Sequence, residues 1–156
     1  MKRSKIKKLL TNSIWIVPQD TLLAYQTINN ISKPVSDQTI WIIDSYKDGY
    51  VFGTSYTTID KNPASKAKII GSITPNGNVQ FAFYSDNNIT NGSGKFKKNN
   101  HKWHFLMQMN DIKSVKDGVI GLSHWSYMIP INSHDHEYYH LPGINISVPE
   151  FIALFS

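Results

Sequence analysis

The chain has 156 residues, of which 40% are hydrophobic, 12% aromatic and only 17% charged, and it contains no cysteine. That is enough chain to bury one core, and the lack of cysteine excludes disulfides, thiolate metal sites and cysteine nucleophiles together. The formal charge of +5 is matched by Lys2, Arg3, Lys5, Lys7 and Lys8 alone, so the remainder is close to neutral and no nucleic-acid-binding face is expected.

Residues 1–12 read as a basic tail; the alternative is a short helix with Ile6, Leu9 and Leu10 on one side. Thr11, Asn12 and Ser13 interrupt the apolar run that a signal peptide needs, so the expected location is cytoplasmic, with atypical export left open. No run reaches the roughly 18 apolar residues of a membrane span. Residues 13–156 are expected to form a single β-barrel domain ending in a short helix. Asp20 and Thr21 follow Pro18 as helix-capping residues, and Leu22, Leu23, Tyr25, Ile28 and Ile31 give a helical stripe that stops before Pro34. The β-branched neighbours of that stripe also suit a strand. Ser32 to Gln38 reads as a polar linker.

From Thr39 to Ile131 the pattern changes to alternating apolar runs divided by small turns. Ile40 to Tyr46 and Tyr50 to Ile59 flank Lys47-Asp48-Gly49, where the Asp-Gly pair tolerates the positive φ of a tight reversal. Lys68 to Thr74 and Asn78 to Tyr84 flank Pro75-Asn76-Gly77, in which Pro presets the turn and Gly takes its left-handed position. Gly94 to Lys98 and Lys102 to Asn110 flank Asn99-Asn100-His101. Val119 to Ile131 adds a strand, and Tyr138 to Leu141 another before Pro142-Gly143. Ser147-Val148-Pro149-Glu150 has capping-box spacing ahead of Phe151, Ile152, Leu154 and Phe155, which predicts a terminal helix. The predicted class is therefore mainly β: an antiparallel up-and-down meander with short N-terminal and C-terminal helical segments. It is expected to close into a barrel, because open edges are aggregation templates. Gly53, Gly71 and Gly121 lie inside strands, where a closing sheet must bend.

The run Thr39-Ile40-Trp41 followed by Asp48-Gly49-Tyr50-Val51-Phe52-Gly53-Thr54-Ser55-Tyr56 resembles the opening of avidin-type barrels. Asn91 to Phe96 with Trp103 to Met107 is similar to their later Gly-containing hairpin. The resemblance is to the calycin group, the lipocalin and avidin-type barrels, and covers about half the chain. It implies a calycin-like architecture. Ser55 separates Thr54 from Tyr56, and the serial Trp residues of a biotin site have no counterparts, so biotin is not implied.

Strand alternation sorts candidate residues by face. Trp103, Phe105, Met107 and Met109 share one side of their strand, and Val79, Phe81 and Phe83 share one side of theirs, as core or as pocket wall. His124 and Ser126 alternate with Ser123, Trp125 and Tyr127, a mixture of polar groups and aromatics that suits a ligand cavity. The leading expectation is a non-enzymatic barrel that binds an apolar or aromatic small molecule, without a cofactor, through Trp41, Tyr56, Phe81, Phe83, Trp103, Met107, His124, Trp125 and Tyr127. An isomerase, cyclase or hydrolase with His124 as general base and Asp44 orienting it is the enzymatic alternative. A third reading is an interaction module whose residues 1–12 touch an anionic membrane or an acidic partner. His134, His136 and His140 fall on one side of an extended segment, which makes a metal site geometrically conceivable, against a solvated loop.

Overall fold

Turn chemistry and alternation together produce a ladder of long antiparallel strands. The computed structural model of the chain describes residues 2–132 and 134–156. Helix α1 (Arg3–Leu10) is followed by β1 (Ser13–Ile16), a 3-10 turn (Gln19–Thr21), β2 (Leu23–Ile28), β3 (Ile31–Lys47) and β4 (Tyr50–Ile59). Then come β5 (Asn62–Ile73), β6 (Asn78–Ser85), β7 (Asn88–Asn99), β8 (Lys102–Asn110), β9 (Lys113–Val115), β10 (Gly118–Ile131) and α2 (Val148–Ala153). Asp48, Gly49 and Gly77 take positive φ in the two hairpins read from Asp-Gly and Pro-Asn-Gly. Asn29-Asn30, Asp60-Lys61 and Asn100-His101 do the same in three more, as Asn and Asp tolerate the left-handed region.

Each strand from β2 to β7 pairs with its successor, and β10 pairs with both β8 and β2, which closes the sheet. β1 and β2 share one place in the ring. β1 lies between the end of β10 and the second half of β3, and β2 lies between the start of β10 and the first half of β3. The result is a closed antiparallel barrel of 8 strands, with β9 as an appendage of β10.

The barrel interior is an aromatic core. Trp41 sits 5.4 Å from both Phe81 and Phe105, and Trp15 packs 4.8 Å from Phe105, all at edge-to-face angles. Phe83, Phe96, Met107 and Met128 belong to the same buried cluster. A second cluster lies outside the barrel wall, where Ile16, Ile40 and Tyr56 are covered by Leu141, Val148 and Phe151. Helix α2 carries the capping box as read, with Glu150 N–H donating to Ser147 Oγ and Ser147 N–H to Glu150 Oε2.

The structure departs from the sequence reading at three places. Residues 3–10 are a helix and not a tail: Ile6 and Leu10 are 1% and 0% exposed in the same cluster as Trp15, while the lysines project outward. The Leu22 to Ile31 stripe takes its strand alternative, with Leu23–Ile28 as β2 and Ile31 opening β3, and the linker Ser32 to Gln38 lies in the first half of β3. Pairing with each other and with β10 and β4 satisfies backbone groups that an isolated amphipathic turn would leave to water. Tyr138 to Leu141 forms no strand beyond a single bridge from His140 to Ser147.

Candidate functional site

The alternation of β3 points Val35, Asp37, Thr39, Trp41 and Ile43 inward, and that of β10 points His124, Ser126 and Met128 inward. Two of these inward groups, Asp37 and His124, meet. His124 Nδ1 lies 3.1 Å from Asp37 Oδ2, with side chains 7% and 3% exposed. His124 Nε2 lies 2.7 Å from the Thr21 carbonyl. Both ring nitrogens thus face oxygens that only accept, an arrangement that the doubly protonated imidazolium satisfies and either neutral tautomer does not. Burial works against that charge, but the hydrogen bond and charge of Asp37, with the Thr21 carbonyl, raise the His124 pKa above its ordinary value.

Hydroxyl groups complete the network. Thr39 Oγ1 donates to Asp37 Oδ1 at 2.6 Å and lies 2.7 Å from Thr57 Oγ1, which must therefore donate to it. Ser126 Oγ donates to the Tyr127 carbonyl, so Thr21 Oγ1 donates to Ser126 across 2.9 Å. The network grips the segment that divides β1 from β2. Val17 N–H donates to the Thr39 carbonyl, Gln38 Nε2 to the Val17 carbonyl, and Asp37 N–H to the Leu22 carbonyl.

The cavity bounded by Asp37, Thr39, Trp41, Met107, His124 and Ser126 is about 20 Å³, against the ~300–1,000 Å³ of a small-molecule site. Trp41, Phe81, Phe83 and Met107 are instead packed against their neighbours in the core. The carboxylate beside His124 is Asp37, from the expected linker. Asp44 is exposed, next to the irregularity of pairing at Ile43 and Ser45. Tyr56 lies outside the barrel wall beneath Phe155. Trp125, 54% exposed, and Tyr127 share the outer face of β10. His134 and His140 are exposed, and among the described residues no group of three His, Asp or Glu side chains is placed to hold a metal ion.

A larger site lies on the outer wall. Between Leu9 of α1, Pro18, the tip of the β7–β8 hairpin and the end of β10 runs a groove of about 740 Å³. Trp103, His104, Tyr127 and Ile129 form its apolar and aromatic side, and His101 and Lys102 its basic side. Trp103 stacks on Phe96 at 4.7 Å, with Lys98 Nζ 5.4 Å over its ring. His104 is only 6% exposed and packs edge-on to Tyr127, and its Nε2 has no hydrogen-bond partner among the described residues. Burial lowers the His104 pKa, with the Lys97 charge adding to it and a backbone hydrogen bond at Lys102 opposing. The ring is therefore neutral near pH 7. With its N–H turned to the Lys102 backbone, Nε2 is a lone-pair acceptor. Sequence alternation assigned His104 to the face opposite Trp103; that both edge the same groove follows from α1 and the hairpin tip, which no local pattern shows.

Fold and sites define a closed antiparallel barrel with a packed, salt-bridged interior and a groove on its wall. Compared with known proteins, the chain matches no family model, no curated protein and no solved structure.

Proposed function

We propose that this calycin-like barrel is a non-enzymatic binding protein for a largely apolar or aromatic small molecule, held in the groove beside His104 rather than inside the barrel. The observation that carries the reading is a groove of about 740 Å³ with the His104 ring in its wall, the buried Nε2 of which has no hydrogen-bond partner among the described residues. A buried polar atom left unpaired is destabilising by roughly 1–3 kcal/mol, and a ligand N–H or O–H would relieve it. Trp103 and Tyr127 offer ring faces and Lys102 a cation for an acidic group of the ligand, in a groove that also holds the Asp20 carboxylate. Catalysis by His124 has no support in its surroundings, since both its nitrogens are engaged and the adjoining space is about 20 Å³.

The dye 1-anilinonaphthalene-8-sulfonate has the required parts: fused rings, an N–H donor and an anion. Fluorescence titration of the folded protein should show saturable binding at one site, weakened at least about tenfold by Tyr127→Ala. Binding that is unsaturable, or indifferent to Tyr127, would remove the basis of this reading.

A further inference from the structure

On the stretch of barrel wall that adjoins this groove at Trp125 and Tyr127, the register aligns outward side chains into a row with no charged member. Tyr50 lies opposite Ser72, Ser72 opposite Gln80, Gln80 opposite Ser93, Ser93 opposite Gln108, and Gln108 opposite Trp125. A second uncharged row, one pleat away, runs from Phe52 through Ile70, Ala82 and Asn91 to Asn110, and Ser123 links it to Tyr25. Lysines border the rows but do not enter them: Lys68 pairs with Tyr84 on one side, and Lys95 reaches Asn78 on the other. Five strand spacings separate Tyr50 from Trp125, about 24 Å of arc.

Aromatic rings stand at the two ends of this face. Tyr50 is 55% exposed, and Trp125 and Tyr25 are 54% and 50% exposed. Between them lie mainly amides and hydroxyls, with Ile70, 42% exposed, and Ala82 among them, and the side chains of Gln80, Asn91, Ser93 and Gln108 make no hydrogen bond to another described residue. Two shallow hollows, about 560 and 460 Å³, flank Asn91 and Ser93.

We propose that this face binds an uncharged polysaccharide. The absence of charge excludes a phosphate backbone or an anionic lipid surface, which are held by lysine and arginine. A partner protein would call for aromatic anchors at the centre with polar groups at the rim, and here the order is reversed. An extended peptide adds to a sheet edge, and the strands of this face are paired on both sides. A neutral glycan matches what remains. Its hydroxyls both donate and accept, as Asn, Gln and Ser do, and the C–H faces of its rings stack on exposed indole and phenol rings.

Affinity electrophoresis in acidic native gels, cast with pullulan, hydroxyethylcellulose or galactomannan, tests the proposal, with carboxymethylcellulose and heparin as anionic controls. At least one neutral polymer should retard the protein, and about 0.5 M NaCl should leave the effect intact. Trp125→Ala and Ser93→Lys, both at exposed positions, should each weaken retardation tenfold or more with an unchanged circular dichroism spectrum, and Ser93→Lys, away from Tyr127, should also leave dye binding beside His104 unchanged. Failure of all three neutral polymers would overturn the proposal, as would full retardation of both variants. So would a dimer in analytical ultracentrifugation that Trp125→Ala dissociates, since a second copy would then be the occupant.

Discussion

Asp37 Oδ2 lies 3.1 Å from His124 Nδ1, while the opposite nitrogen of the same ring lies 2.7 Å from the Thr21 carbonyl. This makes His124 a cationic tie between β3, β10 and the segment that divides β1 from β2. Its folded pKa is raised above the ordinary 6.5. The stabilisation it contributes is therefore complete below the unfolded value and is lost as pH rises through the folded one. Melting temperatures measured from about pH 5 to 9 should fall on the alkaline side, and His124→Gln should flatten that limb. A wild-type profile without the alkaline fall would show that the ring is neutral.

Removing the cation altogether leaves the buried Asp37 carboxylate without its partner. His124→Ala is expected to destabilise by about 3–5 kcal/mol, read as a melting temperature lower by roughly 10 °C. Asp44→Ala, on an exposed position next to the β3 irregularity, should change it within about 0.5 kcal/mol. Equal losses in the two variants would contradict the assignment of Asp37 as the partner.

Gly53 sits at the point where the β3–β4 register shifts, opposite Ile43. A Cβ there would come within 2.2 Å of the Ile42 carbonyl oxygen, so the strands would have to separate. Gly53→Ala should destabilise by about 3 kcal/mol, measured by urea unfolding with an unchanged m value. A neutral result would mean that β3 can withdraw at its bulge.

The hairpin ladder was legible because Asp48-Gly49 and Pro75-Asn76-Gly77 are local signals, written in residues that their own turns require. The capping box of Ser147 and Glu150 is local too. Asp37 was hidden because β3 begins at Ile31, and its first half is polar and exposed on one side. The inward series Val35, Asp37, Thr39, Trp41 and Ile43 was the available signal, with a carboxylate standing where an apolar residue belongs. Ile6 and Leu10 were hidden for another reason: a short basic helix is unstable alone, and only the barrel end that receives it makes it fold. The groove beside His104 and the neutral face depend on long-range register, which periodicity does not encode.

Helix α1 also separates burial from charge. Ile6→Ala and Leu10→Ala should each destabilise by about 2–5 kcal/mol, since both are fully buried. Lys5→Glu with Lys8→Glu should leave stability within about 0.5 kcal/mol. If the exposed cations contact anionic membranes, the same pair of substitutions will abolish sedimentation with phosphatidylserine vesicles, and so will raised salt. Wild-type protein that stays in the supernatant at low salt would exclude that contact.

His104 offers the last discrimination, because ligand binding and stability should move in opposite directions there. Its Nε2 is buried and has no hydrogen-bond partner among the described residues, so the free protein carries the desolvation of that atom without compensation. His104→Leu has similar volume and no polar atom. It should raise the free-protein stability by about 1 kcal/mol and weaken dye binding at least about tenfold. Such a trade is the mark of a polar group kept for a partner and not for the fold. A variant that loses stability would show that the hydrogen bond at Lys102 and the Tyr127 contact outweigh the desolvation of Nε2, and unchanged dye binding would remove Nε2 as the anchoring atom of the groove.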